Sequence, residues 1–136
     1  MDSQEILVMH RHWIWANIFK QHFDQELASS ISDPTNIADR HGAYMLVWYS
    51  MLFSVLESFR RLGVEFNEIK DNIEVIYEPL KRLRNAVFHP QPSYWPNKLL
   101  RFLKIPDSPQ RIRRIHSFLG KYFLAQIESI SHKKGT

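Results

Sequence analysis

The sequence contains no cysteine, and this absence excludes disulfide bonds, thiol nucleophiles and cysteine-ligated zinc sites. Glycine and proline are scarce, with 4 and 7 residues in a chain of 136, so collagen-like and low-complexity architectures are excluded. The longest apolar run covers 43–56, which is shorter than the roughly 20 residues of a membrane-spanning helix. The N-terminus is acidic and does not resemble a secretory signal. We therefore expect a soluble, cytoplasmic protein without membrane insertion.

The chain does contain enough apolar material for one core, and its charge is unevenly distributed. Hydrophobic residues make up 44% of the sequence, and the length fits a single domain over 1–136. Residues 1–68 carry 5 Lys/Arg against 9 Asp/Glu, whereas residues 81–136 carry 12 against 2. A basic half of this kind favours a polyanionic partner, either a nucleic acid or an anionic membrane surface.

Hydrophobic periodicity predicts helix through nearly the whole chain. The predicted helices cover about 3–27, 38–62, 65–88, 98–104 and 109–131, and no pair of strands is predicted. We expect Gly63 to close the second helix, Ser108 to cap the last one, and Pro79 to kink or restart the third. The predicted fold class is therefore all-α: a bundle of four main helices with a kinked third helix and a proline-rich loop at 90–97 before the last helix.

Arg84, Asn85 and His89 lie together at the end of the third predicted helix. Asn85 and His89 are one turn apart and share a face, whereas Pro90 forces His89 out of the helical conformation. An imidazole can take a proton from a ribose 2′-hydroxyl or give one to a leaving 5′-oxygen, and a guanidinium can hold the phosphate. No carboxylate cluster accompanies these side chains, so such a site would cleave without a metal and would require the 2′-hydroxyl of RNA.

The pattern Arg84-Asn85-x-x-x-His89 is similar to the R-x(4–6)-H motif of the HEPN superfamily, whose members are small helical bundles with this motif near the end of their third main helix. The resemblance implies a metal-independent endoribonuclease with these three catalytic residues and no cofactor, leaving a 2′,3′-cyclic phosphate and a 5′-hydroxyl. It also implies a homodimer, often a toxin or an antiviral effector with a cognate antitoxin or regulatory protein. One subgroup is controlled by nucleotidylation of a tyrosine two residues after the histidine. Here that position is Gln91, so this control is not expected.

A second interpretation of Arg84 and His89 is a solvated basic helix end whose arginine pairs with a carboxylate such as Glu57 or Glu78. Glu57 is the only charge in the middle of the apolar second helix. It either orients Arg84 from across the bundle or pairs with Arg61, one turn away on its own helix. No histidine pair has the spacing of metal ligands on a helix, so no metal site is predicted.

Seven further residues are candidates for contact with RNA: Lys81, Arg82, Tyr94, Trp95, Arg111, Arg113 and Arg114. The cations would attract phosphates, and the two aromatic side chains would either stack on bases or anchor their loop. The sequence thus favours a ribonuclease whose basic half and active site form one region. The alternatives are a non-catalytic helical module that binds RNA or a partner protein through the same face, and a protein whose basic half meets anionic lipid.

Overall fold

The computed structural model describes residues 1–29, 40–89 and 97–134, and every regular element within these segments is helical. Four α-helices have between 19 and 27 residues, and a fifth has 7. The helices are α1 (Ser3–Ser29), α2 (Arg40–Arg61), α3 (Lys70–Phe88), α4 (Asn97–Leu103) and α5 (Ser108–Lys134), with a short 3-10 helix at Asn67–Ile69 before α3. The predicted all-α class is confirmed. The association of the long helices as a four-helix bundle stays a prediction.

Local hydrogen bonds determine where α1 begins and α2 ends. Asp2 Oδ1 accepts from the backbone N–H of Glu5 at 2.7 Å, and Glu5 Oε2 accepts from the N–H of Asp2 at 3.1 Å, which is a capping box. After α2, Gly63 has a positive φ of 73°. The N–H groups of Gly63 and Val64 bond back to carbonyls of the last turn at 3.1 and 2.9 Å, a Schellman motif. The predicted role of Gly63 in closing the helix is confirmed.

The third helix differs from the prediction at its start and in its middle. It begins at Lys70 rather than near 65, because the chain before it forms the 3-10 helix. It then continues through Pro79 without interruption, so the restart predicted there does not occur. The kink expected at Pro79 stays a prediction.

The exposed face of α3 changes sign along its length. Asp71, Glu74 and Glu78 are exposed in its first half, and Lys81 and Arg82 in its second half. Acids near the N-terminus and cations near the C-terminus are stabilised by the helix dipole. The positive end of this face is the end that carries Arg84 and His89.

The last helix begins one residue earlier than predicted. Ser108 is already helical, and the carbonyl of Asp107 accepts a hydrogen bond from the N–H of Arg111 at 2.8 Å. Asp107 therefore occupies the cap position, with a positive φ of 59°. The Ser108 hydroxyl is buried and makes no hydrogen bond within the part of the chain that the structure describes. The prediction that Ser108 caps the helix is wrong.

The centre of the core is α2, which is apolar on almost every side and largely buried between Met45 and Phe59. Both α1 and α3 pack against α2, while α5 contacts α1 and α3. Edge-to-face contacts of Trp48 and Phe102 with Tyr49 fill part of this core. The packing of α3 on α2 brings Arg84, in the C-terminal half of α3, against Phe53 and Glu57 of α2, where the candidate site lies.

Candidate functional site

Arg84 is held by two side chains of α2. Its Nη1 donates to Glu57 Oε1 at 3.0 Å, and its guanidinium carbon lies 4.6 Å from the centre of the Phe53 ring. Phe53 and Glu57 are one turn apart, so the ring and the carboxylate approach the guanidinium from the same helix face. Phe53 is fully buried, whereas the Arg84 side chain is 21% exposed. The guanidinium is therefore fixed in place, and part of the Arg84 side chain is open to solvent.

Asn85 makes a third contact with the same guanidinium. Its Oδ1 accepts from Nε of Arg84 at 3.4 Å and from Nη2 at 3.3 Å. A guanidinium has five N–H donors, and three of them are used by Glu57 and Asn85. The other two donors, one on each terminal nitrogen, have no acceptor among the described residues and can bind a further partner. Donors on both terminal nitrogens allow an arginine to hold a phosphate in bidentate fashion.

His89 lies at the C-terminal end of α3, where the helix stops. Its backbone is extended, with φ −124° and ψ 122°, because the proline that follows disfavours the helical conformation. The side chain is exposed. An exposed imidazole is the side chain best suited to exchanging protons near neutral pH. Arg84, Asn85 and His89 therefore lie along the last turn of one helix, as predicted from their spacing.

The carboxylate of Glu57 pairs across the helices with Arg84 rather than along α2 with Arg61. Arg61 Nη2 instead donates to Ser58 Oγ at 3.5 Å. This pairing is what an orienting role for Glu57 predicts. A purely structural ion pair at a basic helix end predicts the same contact, so the pair alone does not distinguish catalysis from structure.

The predicted RNA-contacting cations differ in their surroundings. Lys81 and Arg82 are exposed on the turn of α3 that precedes Arg84. The Arg111 side chain is held by two hydrogen bonds: its Nη1 donates to Asn72 Oδ1 at 3.1 Å and its Nε donates to the Pro106 carbonyl at 3.2 Å.

The next two cations of α5 are also unlike each other. Arg113 Nη2 donates to Asp24 Oδ1 at 2.6 Å, and its guanidinium carbon lies 5.3 Å from the centre of a Trp48 ring. The hydrogen bond to Asp24 raises the pKa of Arg113. Arg114 is exposed. Of the three predicted cations of α5, Arg111 and Arg113 are therefore half-buried and bonded to other residues, while Arg114 is exposed.

The basic cluster of α5 and the candidate site lie at different ends of α3. Arg111 bonds to Asn72 near the beginning of α3, whereas Arg84 lies about 18 Å farther along the helix axis. Between Asn72 and Arg84 the helix also rotates by about 120° beyond whole turns, which puts the two residues on different flanks. The expectation that the basic half and the site form one region is therefore wrong for the cations at 111–114, whereas Lys81 and Arg82 lie on the turn next to Arg84. The cations at 81–84 and those at 111–114 form two groups in the fold.

Some predictions fall outside the described residues. Tyr94 and Trp95, the predicted stacking residues, belong to this group, as do Gln91 and the rest of the proline-rich segment at 90–96. Within 1–29, 40–89 and 97–134, no three histidine or carboxylate side chains converge as metal ligands do.

A buried polar network around His116 was not predicted from the sequence. Trp48 Nε1 donates to His116 Nδ1 at 3.1 Å, and His116 Nε2 lies 2.9 Å from Asn17 Oδ1. Since Nδ1 accepts, Nε2 carries the proton and donates to Asn17, so the imidazole is neutral. Trp13 Nε1 donates to the backbone carbonyl of His116 at 3.1 Å. The network joins α1, α2 and α5.

A cluster of charges borders this network. Lys20 Nζ and Arg113 Nη2 donate to the Asp24 carboxylate at 2.9 and 2.6 Å. Burial by itself would raise the pKa of Asp24, but the hydrogen bonds from Arg113 and Lys20 lower it overall. Burial, and after it the positive charges of Lys20 and Arg113, lowers the pKa of His116 to about 4. His116 is therefore neutral near pH 7 and serves the fold rather than the candidate site.

No helix in the described segments is long and apolar enough to cross a bilayer. Comparison with family models, with curated proteins and with solved structures gave no match to this chain. The functional assignment therefore depends on the residues and distances given above.

Proposed function

We propose that this protein is a metal-independent endoribonuclease of the HEPN type that cleaves single-stranded RNA. The observation that carries the proposal is the setting of Arg84: its guanidinium rests on Phe53, pairs with Glu57, bonds to Asn85 and is followed by the exposed His89 at the helix end. Arg84, Asn85 and His89 are also the residues of the R-x(4–6)-H pattern, including the polar residue after the arginine.

The proposed reaction needs only a proton acceptor, a proton donor and a phosphate clamp. His89 takes the proton of the 2′-hydroxyl, the 2′-oxygen attacks the adjacent phosphorus, and the bond from phosphorus to the 5′-oxygen breaks. The leaving 5′-oxygen takes up a proton from the His89 imidazolium or from water, so the products carry a 2′,3′-cyclic phosphate and a 5′-hydroxyl. Arg84 stabilises the charge that grows on the non-bridging oxygens through the two N–H donors that its partners among the described residues do not use. Asn85 and Glu57 keep the guanidinium in position.

The surroundings of the site fit a role in drawing in RNA and in association. Lys81 and Arg82, exposed one turn earlier, attract the backbone with an affinity that falls as salt rises. On an ideal helix Arg84 and His89 point about 140° apart, so a homodimer with two facing motifs would complete a compact site. A toxin or antiviral effector under the control of an antitoxin or another regulatory protein is the biological role we propose for such an enzyme.

One observation favours a second candidate function, a non-catalytic helical module that binds RNA or a partner protein. The Glu57 carboxylate lies 3.0 Å from Arg84 and compensates much of its charge, as in a structural ion pair. In this case His89, Lys81 and Arg82 form a binding surface and no bond is broken.

Cleavage of labelled single-stranded RNA in excess chelator distinguishes the two functions. Arg84→Ala and His89→Ala are expected to lower the cleavage rate by about 100-fold or more. Arg11→Ala and His132→Ala remove an exposed arginine and an exposed histidine from other helices, and serve as matched controls that leave the rate unchanged. Cleavage that survives both site substitutions, or that requires a divalent metal, would exclude the proposed enzyme. RNA binding without cleavage would support the binding module.

A further inference from the structure

A shallow groove lies between the first half of α5 and the beginning of α3, away from the candidate active site. Its volume is about 500 Å³. Arg113, Arg114, Ser117, Phe118 and Lys121 line it from α5, while Glu68 of the 3-10 helix and Asn72 of α3 form part of the opposite wall. Because Asn72 and Arg84 lie on different flanks of α3, this groove is a surface distinct from the ribonuclease site proposed above.

The α5 wall of the groove carries an exposed basic stripe. Arg114, Ser117 and Lys121 follow each other at intervals of three and four residues, so their side chains share one helix face. All three are exposed. The two cations are about 10 Å apart along the axis, with a hydroxyl between them. Such a stripe can contact successive phosphates of one nucleic-acid strand.

The groove also contains an aromatic ring held in a fixed orientation. Phe118 is half-buried, and its ring lies 5.3 Å from that of Phe66 in an edge-to-face arrangement. Aromatic rings beside cations are the usual means by which proteins hold single strands, because bases stack on the ring while the cations contact phosphates. A duplex would offer no unstacked base to Phe118.

Glu68 determines along which wall of the groove the phosphates of a bound strand lie. Its carboxylate is exposed on the wall opposite the cations, so it repels phosphates there. The backbone of a bound strand therefore runs along the α5 wall. Bases then point towards Phe118.

We propose that this groove binds a segment of single-stranded RNA, with phosphates on Arg114 and Lys121 and a base stacked on Phe118. The choice of RNA rests on the proposed ribonuclease function, but the groove is a binding site separate from the residues that would cleave. It would hold a part of the substrate that lies outside the scissile position.

Equilibrium binding of labelled single-stranded RNA to the His89→Ala protein tests this proposal without cleavage of the probe. Arg114→Gln with Lys121→Gln is expected to weaken binding by about tenfold or more, and to lower the slope of log K against log salt by about 1.4, since two phosphate contacts are lost. Arg11→Gln with Arg61→Gln removes the same charge from exposed positions elsewhere, and is expected to change affinity by less than about twofold.

Two further variants examine the base and the phosphate path. Phe118→Leu keeps an apolar side chain against Phe66 but loses the stacking surface, and should weaken binding by about fivefold or more, whereas Phe118→Tyr should retain it. Glu68→Gln removes the repelling carboxylate and should tighten binding.

The outcomes separate the groove from the ribonuclease. If the Arg114→Gln/Lys121→Gln variant binds RNA with the same affinity as the Arg11→Gln/Arg61→Gln control, the groove proposal is refuted. Full affinity in Phe118→Leu would also overturn it, because a polyanion surface without base contact would then suffice. If cleavage depends on His89 but the groove variants bind RNA as well as the control, the ribonuclease proposal is supported and the groove proposal is refuted. If the wild-type protein binds RNA through the groove but does not cleave it, the groove proposal is supported and the ribonuclease proposal is refuted.

Discussion

The buried imidazole of His116 makes the stability of this fold depend on pH over a defined range. The pKa of His116 is about 4 in the folded chain, against an ordinary value of 6.5 for histidine. Between these values the unfolded chain binds a proton that the folded chain does not, so the free energy of unfolding falls as the pH falls. The expected loss is about 1.4 kcal/mol per pH unit, and about 3 kcal/mol in total. Above pH 6.5 this group adds no pH dependence.

The cost of protonation follows from the hydrogen bonds of the ring. A proton on Nδ1 would face the indole N–H of Trp48, whose nitrogen is 3.1 Å away, so one buried hydrogen bond would be replaced by two opposed donors. Lys20 and Arg113 add repulsion against the new positive charge. Asp24 does not contribute to the loss of stability between pH 6.5 and 4. Its pKa is lowered from 3.8, so its own contribution is lost only at pH values below that.

Urea denaturation at several pH values between 6.5 and 4, followed by circular dichroism, measures this loss directly. His116→Gln is the matched variant, because its side chain offers an acceptor to Trp48 and a donor to Asn17 but cannot titrate. The variant should be less stable at neutral pH, and its stability should fall less steeply with acid by about 1.4 kcal/mol per unit. Burial also lowers the pKa of His10, but His10 is present in both proteins and cancels in the comparison. An equal slope in both proteins would refute the assignment.

Three further predictions concern packing, the ion pair and association. Gly120→Ala would place its Cβ 2.7 Å from Cζ2 of Trp13, so urea titration should show a loss of stability of about 1–3 kcal/mol. Ser129→Ala, on the exposed face of the same helix, should cause no such loss. A Gly120→Ala protein as stable as the wild type would contradict the packing. Glu57→Gln should lower kcat/KM for RNA while changing stability by less than about 1 kcal/mol, since the pair is partly exposed; unchanged kinetics would remove its positioning role. Light scattering after gel filtration should give a mass of twice the 16.3 kDa chain, and a monomer at concentrations that support cleavage would exclude a shared site.

The helical fold could be predicted because its signals are local. Apolar spacing identified each helix, and the need for a positive φ at Gly63 identified the end of α2. Of the two outcomes expected at Pro79, a kink or a restart, the restart does not occur, because buried residues on both sides of it, Ile76 and Leu80 among them, continue one packed face across the proline. Tertiary packing there compensates for the lost backbone hydrogen bond.

The candidate site could be predicted only as far as its residues are neighbours in sequence. Arg84, Asn85 and His89 share one helix end, so their grouping follows from the spacing alone. The partner of Glu57 could not be chosen, because carboxylates pair equally well along a helix and across two helices. The structure resolves this choice in favour of Arg84.

Long-range groupings could not be predicted at all. Counting charges shows a basic half, but only the fold separates Arg84 from the cations of α5. No spacing rule connects Asn17, Trp48 and His116, which meet because α1, α2 and α5 pack together. These contacts depend on helix packing rather than on any periodic pattern.

The central claim is that His89 and Arg84 cleave RNA through its 2′-hydroxyl, and a paired-substrate assay tests it most directly. Purified protein is incubated in excess chelator with a single-stranded RNA and with the same sequence carrying 2′-O-methyl groups, beside the His89→Ala protein. We expect the wild type to cleave the RNA into 2′,3′-cyclic phosphate and 5′-hydroxyl ends, to leave the methylated strand intact, and to lose this activity on substitution of His89. Cleavage of the methylated strand, or 5′-phosphate ends on the products, would contradict the account.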